Sequence, residues 1–237
     1  MRYEAGEDER TEKPMIPWIE LDSASIPGEA ATLRLKQRGA EFSIMLGSNE
    51  LMNSRLYGSE EALAELAAER IAGRKAPAVL IGGLGMGFTL RAALAVLPAD
   101  ARIIVAELVP AVVAWARGPM ADVFKGALDD PRVEVVTGDV TALIARSKGA
   151  FDAILLDVDN GPDGLTRSSN DQLYSLSGLA ASKAALKKAG VLAVWSAHPD
   201  DRFTARMKKS GFATEAVSVR ANAKKRGRKH VVWVGVN

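Results

Sequence analysis

Residues 79–91 read VLIGGLGMGFTLR, an apolar run that breaks into four glycines within six residues and then resumes with helical spacing. Each glycine costs backbone entropy that a larger residue would not, so the cluster implies that something must approach this backbone closely. The stretch 76–83, APAVLIGG, is short and nearly all apolar, the mark of a strand covered on both faces. A glycine loop between such a strand and a helix exposes the amides of the helix N-terminus, and Cβ atoms there would block a ligand. Gly83, Gly85 and Gly87 are the candidate backbone seat for a nucleoside-bearing cofactor, with a tight turn that holds no ligand as the bland alternative.

Downstream, strands and helices alternate. RIIVAEL at 102–108, RVEVVTG at 132–138, DAILLDV at 152–158 and VLAVWSA at 191–197 read as strands. Helices are expected at 88–97, 110–117, 140–147, 171–188 and 200–210, and the apolar β runs ATEAVSVR and HVVWVGV follow. Such alternation predicts an α/β fold with a mostly parallel sheet of right-handed crossovers, ending in an antiparallel hairpin. Upstream, PWIELDS, ATLRLKQRG and AEFSIML are strand-like, and the Arg38-Gly39 turn predicts a β-hairpin. SEEALAELAAERIAG at 59–73 predicts a helix with Ser59 as N-cap, glutamates in its first turn and Gly73 as its stop. The expected organisation is a charged, mobile tail at 1–14, a small β-module at 15–57 and a catalytic domain at 58–237.

Composition narrows the chemistry. The 237 residues carry a net charge of +2, which calls for neither a nucleic-acid nor a membrane partner. With no cysteine and two histidines, thiolate nucleophiles, disulfides and histidine-rich metal sites are not expected, and a cytoplasmic location is the simple reading. The N-terminus has no apolar core, so no signal peptide or anchor is expected. The basic run KKRGRK at 224–229 reads as a solvated hairpin loop. An anionic or RNA partner is the alternative, but no stacking aromatics interleave the run.

Two carboxylates sharpen the glycine loop. Glu107, twenty residues past Gly87, sits at the tip of the second strand of the alternation, where an ionised acceptor can take both ribose hydroxyls. Asp139 ends the third, placed to accept an adenine amino group or to cap the helix that follows. A dinucleotide fingerprint needs a third glycine where Phe88 stands, and no Walker lysine is present. These features favour a sulfonium nucleoside such as S-adenosylmethionine over a pyrophosphate. Asp157, Asp159 and Asp163 form an acidic group after the fourth strand that could hold a cationic amine and take its proton. Asp163 reads more simply as part of a solvated loop. His198 is a candidate base or a turn residue, and Asn160 orients an amine or shapes an Asn-Gly turn. Tyr57 either closes over the acceptor or anchors the β-module. Trp115, Trp195 and Trp233 read as packing.

In this order VLIGGLGMGFTLR, VAELVPAVV, DPRVEVVTGDV, FDAILLDVDNGP and LKKAGVLAVWSA resemble the spermidine synthase family, within the class I S-adenosylmethionine-dependent transferase fold. The resemblance runs from about 77 to 197, and LMNSRLYGSEEALAELA is similar to the segment that joins that family's N-terminal β-domain to its main sheet. It implies a roughly seven-stranded Rossmann-like sheet, a decarboxylated S-adenosylmethionine donor, a polyamine acceptor, no metal and a homodimer or tetramer. It also implies Glu107 as the ribose acid, Asp139 as the adenine acid and Asp157 as the acid that positions the attacking amine. Three features depart from the family pattern. GGLGMG lacks the aspartate that holds the donor's ammonium, Tyr57-Gly58-Ser59-Glu60 keeps the tyrosine of a Tyr-His-Glu motif but not its histidine, and Asp157-Val158-Asp159-Asn160-Gly161-Pro162 spaces its acids differently. On these departures the leading expectation is methyl transfer from S-adenosylmethionine to a small cationic amine, with Asp157, Asp159 and Tyr57 as catalytic candidates. Aminopropyl transfer from the decarboxylated donor is the first alternative, and a non-catalytic nucleoside-binding protein the second.

Overall fold

The computed structural model describes residues 16–158, 162, 172–222 and 227–237. Its first strands, β1 (Ile19–Ser25), β2 (Thr32–Arg38), β3 (Glu41–Leu46) and β4 (Asn49–Asn53), form a four-stranded antiparallel sheet in sequence order. The expected hairpin is β2–β3, with Arg38 opposite Glu41 and Gly39 at φ 59° in the turn. Leu33, Leu35, Phe42 and Ile44 are buried on one face of this sheet, the period-two pattern of an antiparallel sheet with one covered face. The fourth strand, NELMN, lacks that alternation and was not separable from a loop by pattern.

After α1 (Gly58–Arg70) comes the main unit: β5 (Ala78–Gly82), α2 (Phe88–Val96), β6 (Arg102–Glu107), α3 (Pro110–Arg117), the short α4 (Ala121–Phe124), β7 (Val133–Thr137), α5 (Val140–Arg146) and β8 (Phe151–Leu156). It continues with α6 (Leu176–Ala185), β9 (Leu186–Ser196), α7 (Asp201–Lys209), β10 (Ala213–Arg220) and β11 (Lys229–Val236). The seven strands lie in the order β10-β11-β9-β8-β5-β6-β7. β5 pairs in parallel with both β6 and β8, whereas β11 runs antiparallel to β9 and β10. This is the expected mostly parallel sheet with its terminal hairpin. Every residue of β8 is buried, as a strand covered on both faces requires. The chain leaves β5 toward β6 and β7, then returns to the other side of β5 at β8, so the order reverses at β5. In open α/β sheets the crevice at the carboxyl ends of the strands at such a reversal receives ligands.

Two local expectations change. The helix expected over 171–188 is α6, ending at Ala185; residue 171 lies outside the described residues. From Leu186 the chain is already strand, because Leu186 pairs with Phe151 and the Lys187 ammonium bonds Asp152 at 2.6 Å, inside the sheet's lower edge. Ser59 is not the cap of α1: the N-cap is Tyr57, without a side-chain hydrogen bond, and the Ser59 hydroxyl is buried against Glu60 and His230. Gly73 lies just past the helix end at φ 80°, as a stop residue should. The four-stranded sheet is held to the main unit at Trp115 of α3, whose indole N–H donates to Asp22 of β1 at 2.6 Å.

Candidate active site at the carboxyl edge of the sheet

A cavity of about 520 Å³ opens over the carboxyl ends of β5, β6 and β8 and is roofed by β3 and β4. The glycine loop forms its floor, but the glycines are bare chiefly for internal reasons. Gly83 adopts φ +91°, and a Cβ there would lie 2.2 Å from the Asp157 carbonyl oxygen. Gly87 adopts φ +75°, and its Cβ would meet the Phe124 ring at 2.4 Å. Gly83 and Gly85 line the cavity, whereas Gly87 is not on its wall. The close approach expected of a ligand is therefore, at Gly83 and Gly87, an approach of the protein itself. Hydrogen bonds from Gly83 N–H to Ala106 and from Asp157 N–H to Gly82 tie loop and strand tips into one rigid edge.

Glu107, at the end of β6, is buried and lines the cavity. Burial pushes its carboxyl up, opposed by backbone N–H donors that include Val109 at 2.8 Å and Leu84 at 2.9 Å. The Gly85 and Leu108 amides also act on this carboxyl, so the loop and the end of β6 fix its orientation at the cavity wall. Asp139 caps α5 by accepting from Thr141 N–H at 2.8 Å and also lines the cavity. The capping and cavity-facing placements weighed from sequence coexist.

Asp157 follows β8 into the same cavity and accepts from the Thr89 hydroxyl at 2.6 Å. Burial pushes its carboxyl up to about 6 despite that bond. Across from it stands Glu60, in the first turn of α1, which burial and the Asp157 charge push up to about 7. Among the described residues neither carboxylate has a basic partner within ion-pair distance. Two buried acids without a counter-cation leave a negative site that a cationic ligand would neutralise. In the sequence Glu60 reads as a helix-start glutamate within the segment compared with the family's Tyr-His-Glu motif; nothing in the pattern turns it toward Asp157.

The remaining candidates fall elsewhere. Tyr57 is not on the cavity wall. It stacks on Phe88 with ring centroids 4.8 Å apart, where α1 meets α2. His198 is exposed beyond β9, its backbone tied to the Ser196 hydroxyl, and it does not line the cavity. The imidazole at the site is His230 of β11, and Trp195, read from sequence as packing, joins it on the wall. Asp159, Asn160, Asp163 and residues 224–226 of the basic run lie outside the described residues. No described helix is long and apolar enough to cross a membrane.

The spermine/spermidine synthase domain model matches residues 57–205, more than half of the chain. The polyamine aminopropyltransferase of Nitrosomonas europaea is 38% identical over 93 residues, covering 39% of this chain and 27% of that protein. That of Mycobacterium tuberculosis is 35% identical over 127 residues, covering 52% of this chain and 23% of that protein. The matches thus span about a quarter of the length of these curated relatives. Among solved structures, spermidine synthase from Thermotoga maritima superposes with a TM-score of 0.74 at 20% identity, covering 92% of this chain and 72% of that chain. The sheet order, the glycine loop with its flanking acids and the domain match together show that the chain belongs to the spermine/spermidine synthase domain family.

Proposed function

We propose that the protein transfers the aminopropyl group of decarboxylated S-adenosylmethionine to a polyamine-type amine acceptor. The observation that carries this reading is the buried pair Asp157 and Glu60, unpaired by any described basic group, beside the glycine loop. A decarboxylated donor and an amine acceptor are both cationic, and a doubly acidic pocket suits them better than a donor bearing its own carboxylate. The family membership and the relatives' activity support the same choice, so the methyl transfer favoured by the loop departures yields first place to aminopropyl transfer. In this reading residues 15–57 are a module that roofs the site and residues 58–237 the catalytic domain.

Glu107 and Gly83 would hold the ribose and Asp139 the adenine, and the bound donor would supply an activated carbon on its sulfonium. The chain's own work is then positioning and proton removal. Attack requires a neutral amine, and Asp157, ionised above about 6, can take the proton from the acceptor ammonium. Holding the amine in line supplies much of the acceleration. Tyr57, stacked beneath the site, supports α1 and thereby the placement of Glu60.

Methyl transfer stays as a second reading because Arg228 borders the cavity and offers a cation for a donor carboxylate. Calorimetry with S-adenosylmethionine, its decarboxylated form and 5′-methylthioadenosine separates the two. The decarboxylated donor should bind most tightly, and a diamine incubated with it should gain an aminopropyl group. Tighter binding of S-adenosylmethionine together with a methylated product would reverse the order.

A further inference from the structure

Beyond Glu60 the acidic pair has a continuation that the transfer chemistry itself does not require. Ser59, fully buried, donates its hydroxyl to Glu60 Oε2 at 2.6 Å, and His230 Nδ1 lies 2.8 Å from the same hydroxyl. A serine hydroxyl has one proton and two lone pairs. When it donates to ionised Glu60 it must therefore accept from His230 Nδ1–H. When Glu60 is protonated the row can reverse, with Glu60 O–H donating to Ser59 and Ser59 to a bare Nδ1. The side chains come from the start of α1 and from β11, more than 150 residues apart in sequence, so only the fold aligns them.

We infer that Ser59 and His230 form the proton exit of the site, passing to solvent the proton that Glu60 receives in the cavity. This rests on the proposed transfer, which releases one proton per turnover. The acceptor R–NH₃⁺ loses a proton to the acidic pair, and the C–N bond forms as the C–S bond breaks. Sulfur keeps the electron pair, and the product leaves as a secondary ammonium. The proton left behind sits on a carboxyl that burial isolates, with Asp157 Oδ2 closed off by Thr89. The proton that Asp157 takes passes to Glu60 across the cavity they share, and the geometry gives Glu60 the outlet. Its proton moves to Ser59 Oγ, the serine proton to His230 Nδ1, and the imidazolium releases its Nε2 proton from a half-buried ring.

The surroundings suit release rather than storage. His230 faces Ser59 of α1, stands edge-on to Trp195 of β9 at 5.0 Å, and has His198 and Arg228 nearby. Burial, His198 and Arg228 together hold its imidazole below the ordinary value. Glu60 faces Asp157 after β8, with Ser59 and Glu61 on its own helix and the Thr89 hydroxyl of α2 near its backbone carbonyl. Ser59 and His230 act through Glu60, so they are positioning residues in this scheme, and the test must read proton movement rather than folding.

Nitrogen-15 NMR of histidine in the intact protein reads the row without any reaction. His230 should titrate in steps that follow Glu60, and Ser59→Ala or Glu60→Gln should reduce this to a single step. An unchanged His230 titration in a folded Glu60→Gln variant would overturn the inference. In turnover, His230→Ala should lower kcat about tenfold with KM unchanged, and added imidazole should restore most of the loss. His230→Asn keeps a donor for Ser59 but cannot relay a proton, so it should stay slow. Wild-type rates in His230→Asn, or no response of His230→Ala to imidazole, would count against the relay. If the wild-type chain moves no group from either sulfonium donor, the functional reading falls and the NMR result alone decides the row.

Discussion

Two aspartates at opposite ends of β8 have opposite environments. Asp152, at the lower edge, is buried and receives Arg74 at 2.7 Å, Lys187 at 2.6 Å and the Ala78 amide at 2.8 Å. Burial alone would raise its carboxyl, yet bonds from Lys187, Ala78 and Arg74 hold it below the ordinary value. Asp157, at the upper edge, has one hydroxyl donor and no described cation, and burial pushes it up. The lower acid is compensated by the fold and stabilises it; the upper one is left for something else to compensate. Charge compensation, more than burial, separates the structural carboxylate from the candidate functional one.

The linkage signs follow. Asp152, depressed in the folded state, contributes stability that is present above its unfolded value of 3.8 and is lost as pH falls through the folded one. Asp157 and Glu60, raised in the folded state, do the reverse: they cost stability as pH climbs from their ordinary values, 3.8 and 4.5, toward about 6 and 7.

The sharpest break of the contrast is Asp157→Asn. It should lower turnover by about 10²–10⁴-fold, the scale of a lost general base, while affinity for the uncharged 5′-methylthioadenosine measured by calorimetry stays unchanged. Because the ionised acid is costly, the same variant should melt no lower than wild type at pH 8, with a gain bounded by about 3 kcal/mol. Asp152→Ala should behave oppositely, losing roughly 2–4 kcal/mol in urea titrations because two cations are left unpaired, with kcat per folded molecule unchanged. Gly87→Ala tests the rigid edge between these two ends. Positive φ costs roughly 1–2 kcal/mol and contact with Phe124 adds to it, so its melting temperature should fall. The smallest effect is expected from pH: kcat/KM should rise as pH climbs through about 6 and again toward about 7, as Asp157 and then Glu60 ionise, and Glu60→Gln should leave only the lower step. An upper step that persists in Glu60→Gln would mean that Glu60 does not set it.

The strand–helix alternation, the glycine loop and the acids at strand tips were readable because each is local. A buried parallel strand is an apolar run, a tight strand–helix connection demands glycine, and Glu107 ends its strand while Asp139 and Asp157 follow theirs within two residues. Glu60, Ser59 and His230 were not. A glutamate and a serine at a helix start serve capping in most sequences, and His230 reaches the site only because the terminal hairpin runs back beside β9. The reason for the bare loop was also partly hidden, since Phe124 and the Asp157 carbonyl come against Gly87 and Gly83 from remote segments.

Sequence by itself determined the strand–helix alternation, the glycine loop and the acids at the strand tips, because backbone periodicity and strand-end position are properties of short segments. Tertiary structure alone decided which acids go uncompensated and which side chains complete the site. Charge compensation depends on distances of a few ångströms between residues that the chain brings together only on folding.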